Sequence, residues 1–590
     1  MQRTDDVVAA RGIDPHAVLH ARLTRAIAAA LGPDHASVDP VIRPSKPDFG
    51  DFQANFAMGL ARELGRPARD IASTVVDALD VEDVCAHVEV AGPGFVNLTL
   101  RTDWLEGRSN EMLDDAMVGV ATAAGPERVV VDYSAPNIAK EMHVGHLRTT
   151  IIGDALVRVL EFLGHEVVRA NHVGDWGTPF GMLIEHLLDV GRAQAASDLS
   201  VGNLSAFYQQ ARTKFESDPD FADRARRRVI ALQDGDESTL SLWRLLVEES
   251  ERYFSTVYER LDVLLTSEDY AGESRYNDAL DDVIKELDQL GLLVDSDGAL
   301  CVFPPGFTGR EGDPLPLIVR KSDGGHGYAT TDLAAIRYRT QELDASRLIY
   351  VVGAEQRLHL SMVFATARLA GWLSDDRRAQ HAVIGSVRGA DGKRLRTRSG
   401  ESIRLIDLLD EAIARVARGL DDRDDLPAGE RQTVAHQVGI GAIKYADLSV
   451  DRERDYLFNW DTMFALEGNT GPYLQYAVAR IQSVISRSGQ TAADAGAGDI
   501  QISHDTERAL VLHALRFGQE VHAVSETLQP HRLCGFLYDL ATRFTAFYEQ
   551  VPILRADDEL RTSRLALCVL AARTLSKGLE LLGIDVPRRM

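Results

Sequence analysis

Cysteine is scarce in this sequence: Cys85, Cys301, Cys534 and Cys568 are the only four in 590 residues. They are widely scattered. No pair has the close spacing of a zinc site, and they suggest no disulfide framework. A reducing cytoplasm is the expected compartment. Long apolar runs are missing too. No stretch reaches the ~18 uninterrupted apolar residues of a membrane span, so no membrane partner is expected. Met1 to Asp6 carry acids and lack the apolar core of a signal peptide. Fixed-period repeats and long low-complexity tracts are absent. Basic residues are outnumbered: 64 Lys and Arg against 89 Asp and Glu give a net charge of −25. Alone, that argues against a nucleic-acid partner. The argument is weak, because binding depends on local patches and not on the total.

What is present fits a soluble globular protein, with 45% hydrophobic and 26% charged residues. The length exceeds one hydrophobic core and implies roughly three to five units. Residues 1 to about 110 read as a small α+β unit. Val18 to Leu31 has helical periodicity, while Val88–Val90 and Val96–Leu100 alternate like strands around the turn Gly92-Pro93-Gly94. Ala121 to Pro126 reads as a linker. An α/β pattern follows: a strand at Val129–Val131, a helix from Gly145 to about Leu163, and a strand at Val167–Ala170. That order points to a parallel sheet. Residues 193 to 265 look like a charged helical insertion. Leu348–Val352 and Ala382–Ile384 supply later strands. From about 405 onward the pattern is almost entirely helical, interrupted by a small-residue loop from Gly489 to Gly498.

His143-Val144-Gly145-His146 falls between a strand and a helix. With 17 His and 47 Gly in the chain, about 0.04 matches to His-x-Gly-His are expected by chance. The tetrapeptide alone reads equally as two histidines at a helix start. Its context favours a nucleotide. A helix N-terminus after a parallel strand collects unpaired N–H groups and positive dipole potential, which suits phosphates. Gly145 admits close approach of a ligand to the backbone. Two imidazoles can donate hydrogen bonds to phosphate oxygens as charge builds, and Lys140 adds a fixed positive charge.

The run from Tyr133 through Ser134-Ala135-Pro136-Asn137-Ile138-Ala139-Lys140-Glu141-Met142 to His143-Val144-Gly145-His146-Leu147-Arg148 resembles the HIGH-signature segment of arginyl-tRNA synthetases. Asn171 to Thr178 resembles the segment that follows it, and the likeness runs from about Phe49 to Met590. The resemblance implies a Rossmann-type parallel-sheet catalytic domain with insertions at 116–404. It implies an N-terminal α+β appended tRNA-binding domain at 1–115 and an all-α anticodon-binding domain at 405–590. The family's second signature, KMSKS, is replaced here by Gly392-Lys393-Arg394-Leu395-Arg396-Thr397-Arg398-Ser399-Gly400. Many family members also lack KMSKS, and a lysine upstream of the histidines, here Lys140, is thought to compensate. Cations stabilise departing pyrophosphate wherever they come from. Read without the family, 393–398 is equally a solvated basic loop.

The resemblance also carries an arginine pocket, because a guanidinium needs carboxylates in planar, bidentate reach and often an aromatic face. Tyr328 and Asp332 match the family's Tyr-x-x-x-Asp element and share a helix face at i, i+4. Glu273, in Gly272-Glu273-Ser274, supplies a second carboxylate. Gln356 matches a family glutamine near the substrate, and Asn137 is placed at the α-amino or carboxylate end. Tyr473, Tyr476 and Arg480 lie in the segment that opens the anticodon-binding domain, where aromatic faces stack on splayed bases and arginine takes phosphate. Both tyrosines fit helix packing as well. Phe95 and Asn97 match the appended domain that reads the tRNA elbow, though Phe95 would also serve as core.

The implied function is a ligase that activates L-arginine with ATP and transfers it to tRNA(Arg). Mg²⁺ is expected to accompany ATP without a dedicated protein metal site, and the enzyme is expected to be a monomer. Two departures stand out. Pro179 replaces a common Gln, and Val450-Asp451 replaces a basic-polar pair. They raise the alternative of a specialised paralogue feeding arginyl-tRNA to another pathway. A small-molecule nucleotidylyltransferase is disfavoured by the flanking domains. A non-catalytic RNA-binding paralogue is disfavoured by intact Lys140, His143, His146, Glu273 and Asp332.

Overall fold

The first helix, Pro15–Leu31, starts where Asp14 accepts a hydrogen bond from the backbone N–H of His16 at 2.8 Å and Pro15 occupies the first turn. It buries Leu19, Leu23, Ala26 and Ile27 on one face. The computed structural model describes residues 13–191, 204–389, 391–393, 395, 403–421 and 426–590. Arg394 and residues 396–400 of the basic loop, and residues 193–203 of the insertion, lie outside the described residues.

Two compact units divide the chain. The first comprises residues up to 125, 162–164 and 465–590; the second comprises 126–161 and 165–464. In the first unit, strands β1 (Ile42–Pro44), β2 (Phe52–Ala54), β3 (Cys85–Ala91) and β4 (Phe95–Leu100) form an antiparallel sheet in the order β1-β2-β4-β3. Val88, Glu89 and Val90 of β3 alternate as the sequence pattern predicts, whereas β4 buries Val96, Asn97 and Leu98 in succession. Gly94, with φ of 130°, sits where a Cβ would come within 2.8 Å of the Ala68 backbone, so the hairpin requires glycine there. The helices Gly471–Arg487, Asp505–Ala514, Phe517–Thr527, His531–Gln550 and Asp558–Leu581 complete this unit. Arg508 joins helix to sheet by binding the Asp51 carboxylate at 2.6 Å and the Leu100 carbonyl at 2.8 Å.

The second unit is built on β5 (Arg128–Asp132) and β6 (Glu166–Ala170), joined by the helix Val144–Phe162. Among the described residues the insertion contains the helices Leu204–Ser217, Pro219–Gln233 and Glu237–Arg260, and Asp218 and Asp236 cap the last two. A small antiparallel sheet follows: β7 (Val294–Ser296), β8 (Ala299–Val302) and β9 (Leu317–Arg320). Then come β10 (Arg347–Tyr350) and β11 (Arg378–His381). The main sheet has the order β11-β10-β5-β6, and every pairing in it is parallel. Val129, Val130 and Val131 are buried, which is why β5 reads as a continuous apolar run instead of alternating. Finally β12 (Val387–Arg388) pairs in parallel with β13 (Tyr456–Leu457). The helices Leu405–Leu420 and Ala428–Leu448 belong to this unit.

Two expectations need correction. The last strand of the main sheet is Arg378–His381, not Ala382–Ile384. The apolar segment is instead the buried exit from that strand, with Ile384 bridging Gly353. The small-residue stretch 489–498 contains a short helix, Ala492–Gly496, because Thr491 and Asp494 form a reciprocal capping box. Pro179 stands in the first turn of the helix Thr178–Val190, where a missing N–H costs nothing. Among the described residues, no helix is long and apolar enough to cross a membrane.

Candidate active site

In an open parallel sheet, ligands bind beyond the carboxyl ends of the strands where the connections reverse direction. Here the chain passes from β5 to β6 on one side and returns to β10 on the other, so the crevice opens beyond β5 and β10. Ser134 and Ala135, immediately after β5, hold φ of 73° and 49°, and Ala139 holds 56°. Three non-glycine residues in left-handed conformation concentrate strain at this strand exit, as functional sites often do.

A cleft of about 490 Å³ occupies that position, lined by Asn137, His143, Gly145, His146, Gly353 and Gln356, with Leu395 from the basic loop. The sequence reading therefore places five of its candidate residues around one space. The two imidazole centroids lie 4.1 Å apart. The His143 backbone N–H donates to Nδ1 of His146 at 3.1 Å, and the Gly145 N–H donates to Nδ1 of His143 at 3.0 Å. With Nδ1 accepting in both rings, the neutral tautomer carries its proton on Nε2. Burial, reinforced by His143, pushes His146 down to about 3, although the residue keeps one partly open face to the cleft. At neutral pH His146 is thus an uncharged donor. A Cβ on Gly145 would meet the His143 ring at 2.6 Å, so glycine is needed for this folding-back.

The lysines sit differently from one another. Lys140 places its ammonium 4.3 Å from the Tyr208 ring centroid, and its charge also lowers the His146 pKa. Lys393 is exposed, in a turn where Gly389 donates to its carbonyl at 2.8 Å.

Beside the cleft lies a group of acids. Segment 269–273 runs along 171–173, with Asn171 N–H on the Asp269 carbonyl, Ala271 N–H on Asn171 and Glu273 N–H on Val173. This pairing sets Glu273 near Asp175, whose carboxylate accepts from the Ser274 N–H at 2.8 Å and the Ser274 hydroxyl at 2.6 Å. A Cβ on Gly272 would stand 2.1 Å from the same carboxylate. Glu273 is pushed up to about 7 by burial and then by the charges of Asp175 and Asp332. Asp332 lies in the first turn and a half of the helix Tyr328–Gln341. Tyr328, at its first residue, is 74% exposed, so no core role holds it there.

Sequence reading missed three residues. Asp175 lay inside a quoted segment but carried no signal of its own. His359, three residues after Gln356, binds Asp332 at 2.6 Å. Arg148, next to the signature, is buried and donates to the Asp447 carboxylate at 2.8 Å and to the Arg454 carbonyl at 2.7 Å. The partner of such a long-range contact cannot be read from spacing.

In the first unit, Tyr473 is half-buried against Tyr538 at 5.8 Å, while Tyr476 is 42% exposed. Arg480 lies 4.1 Å from the Tyr548 ring centroid. Phe95 is half-buried. Asn97 is buried, and its side-chain carbonyl accepts from Gln53 at 2.8 Å.

Three families match the chain. The one described as "tRNA synthetases class I (R), catalytic domain" covers residues 109–460. The DALR anticodon binding domain covers 474–590, and the arginyl tRNA synthetase N terminal domain covers 17–100. An arginine–tRNA ligase of Thermobifida fusca is 57% identical over 98% of this chain and 100% of its own. The arginyl-tRNA synthetase structure from Plasmodium falciparum superposes with a TM-score of 0.84 at 30% identity, covering 97% of this chain and 98% of that one. The Thermus thermophilus enzyme gives 0.82 at 26% identity over 97% and 100%. A parallel-sheet crevice holding a paired-histidine signature, flanked by an α+β unit and a helical end and matched along its whole length, means that the chain belongs to the arginine–tRNA ligase family of class I synthetases.

Proposed function

We propose that this ligase activates arginine in the crevice beyond β5 and β10, with Glu273, Asp332 and Tyr328 receiving the guanidinium and the two histidines serving the phosphates. The observation that carries this reading is the juxtaposition of unlike chemistries. The paired imidazoles of His143 and His146, the latter uncharged, face one cleft, and an acid cluster with Asp332 tied to the helix after Gln356 stands beside it. An uncharged Nε2–H donor suits an oxygen that gains charge, since it stabilises that charge without first repelling or losing a proton.

The chain joins arginine to tRNA in two steps. The arginine carboxylate attacks the α-phosphorus of ATP, forming the acyl–phosphate bond of arginyl-adenylate as pyrophosphate leaves. The terminal ribose hydroxyl of tRNA then attacks the carbonyl carbon, its proton is lost, and AMP departs. His143 and His146 hold phosphate oxygens, Gly145 permits close approach, and Lys140 and Lys393 balance the pyrophosphate charge. Asn137 and Gln356 orient the backbone end of the amino acid. Positioning and charge stabilisation suffice, with no protein group required as general base. Mg²⁺ enters with ATP, where it would neutralise phosphate charge. Among the described residues, no cluster of three or more His, Cys, Asp or Glu could cage it.

Residues 1–115 and 405–590 are assigned to tRNA, through Phe95 and Asn97 in the former and Tyr473, Tyr476 and Arg480 in the latter; 116–404 is assigned to catalysis. The helices 405–448 pack within the catalytic unit. A cytoplasmic monomer fits the scattered free thiols, all four of which are buried. Charging assays with each of the twenty amino acids and total tRNA test the pocket. Arginine is expected to charge well and lysine poorly, because a point charge cannot satisfy two carboxylates placed for a fork. Equal charging with lysine would overturn the assignment.

A further inference from the structure

His359 ties its helix to Asp332 but has been given no chemical role. It lies in the first turn of the helix Arg357–Leu369, directly after the turn Ala354–Gln356 that borders the cleft. Its Nε2 stands 2.6 Å from Oδ2 of Asp332, and both side chains keep part of their surface open to solvent. The contact is too short for chance adjacency and joins two helices that share no other charge pair among the described residues.

We propose that the imidazole of His359 fixes the Asp332 carboxylate as a receptor for the substrate guanidinium, and that protons held by this group leave for solvent when the guanidinium arrives. The inference rests on the assignment of Glu273 and Asp332 to the arginine pocket. Bound at Oδ2, the ring sets the plane of the carboxylate and leaves Oδ1 for a guanidinium N–H. Asp332 then meets the guanidinium through Oδ1 without searching rotamers, and Glu273 takes the second edge of the fork.

The charges around the pair explain why protons must move. Asp332 contributes one carboxylate from its helix, and Glu273 and Asp175 contribute two more from the opposite side. Tyr350, at the end of β10, is a buried phenol that feels Asp332, and the buried Arg339–Asp132 pair stands behind it at 2.7 Å. Glu355 and Arg357 flank His359 in sequence, and Arg357 is paired with Glu453 at 3.3 Å. Glu273 makes no ion pair among the described residues. The His172 ring lies close enough to Asp175 to favour its ionised form, and an acid cluster this crowded relieves its remaining repulsion by holding protons. Asp332 raises the affinity of His359 for a proton, and Glu273 is pushed up to about 7. Arginine brings the missing positive charge. It favours ionised Glu273 and disfavours a second cation on His359, so both give protons to water. By linkage, the proton Glu273 holds near its raised value of about 7 opposes arginine, so affinity is full above about 7 and declines as pH falls through it.

Calorimetric titration of the full-length protein with L-arginine, in phosphate and in bis-tris at pH 6.5, reads proton release directly. The Michaelis constant for arginine in charging, followed from pH 6 to 8.5, reads the linkage. The unsubstituted protein is expected to release protons, and its arginine KM to rise at low pH more than kcat falls. H359A should raise that KM ~10-fold or more at pH 8, the loss of a charge-assisted contact. H359Q keeps an N–H donor without titrating. It should recover most of that loss at pH 8 while releasing fewer protons and flattening the KM profile. An H359Q protein with an unaltered proton count and profile, or an H359A protein with an unaltered KM, overturns the proposal. D332N separates the two readings: if it leaves arginine binding intact, the pocket assignment itself is wrong. If D332N abolishes binding while both His359 variants behave like the parent, the error lies with His359.

Discussion

At the residue scale, the geometry of His146 makes a specific kinetic statement. Its Nδ1 is occupied by the His143 backbone N–H, and burial holds the ring neutral to about pH 3. It can serve a developing phosphate charge only through Nε2–H. Replacing His146 with Ala is expected to slow adenylate formation by ~10²–10³, the usual effect of deleting one transition-state donor. Its affinity for tRNA should be unchanged. Pyrophosphate exchange measures the first and filter binding the second; a full-rate H146A enzyme would remove this ring from the mechanism. Because the ring does not titrate near neutrality, the exchange rate should carry no His146 step between pH 5 and 8. The histidines were legible because four adjacent residues carried the signal. His359 was not, since its meaning depends on Asp332, 27 positions away.

At the scale of elements, the helix that carries the signature is anchored by a buried ion pair. Arg148 and Asp447 are buried, 299 positions apart, with Nε to Oδ1 at 2.8 Å. Arg148 also holds the Arg454 carbonyl, and the adjacent segment feeds β13, whose partner β12 leads into the basic loop. One arginine therefore ties the histidine helix to the strand pair from which Lys393 hangs. Burial raises the Asp447 pKa and Arg148 opposes that shift, so the carboxylate depends on its partner to stay charged. Asp447→Asn would leave a buried guanidinium without its counter-ion, at about 3–5 kcal/mol. The first thermal unfolding transition should fall accordingly. A double Arg148→Met/Asp447→Leu variant should recover part of that loss, because apolar packing removes the stranded charge. Equal midpoints for D447N and the parent would show that the pair is not anchoring. Elements themselves were read well where one physical pattern dominated, as in the buried run of β5. They were misplaced where burial and strand pairing parted company, as at 378–384.

At the scale of the whole molecule, the proposed tRNA contacts and the activation chemistry lie in different compact units. If tRNA binding favours the competent crevice, weakened binding must weaken that shift. Replacing Tyr473 and Tyr476 together with Ala should remove ~1–3 kcal/mol of stacking per base. Charging should then fall at low tRNA concentration and recover partly at high concentration. The half-buried packing of Tyr473 against Tyr538 demands that folding of the variant be checked first by its melting curve. A folded double variant that charges like the parent at every tRNA concentration would exclude these rings from the interface.

Composition and motif by themselves determined the class of this protein. Periodicity follows from backbone geometry, and a contiguous signature needs no partner to be recognised, so the sheet, the histidine helix and the helical end could be read in one dimension. The net charge of −25 misled on its own, because a total says nothing about where charge lies. Tertiary structure alone decided which carboxylates stand close enough to feel one another's charge. Glu273, Asp175, Asp332 and His359 come from four separate segments. Burial and neighbours that only folding brings within Coulombic range raise the pKa of Glu273, while the hydrogen bond to Asp332 raises that of His359.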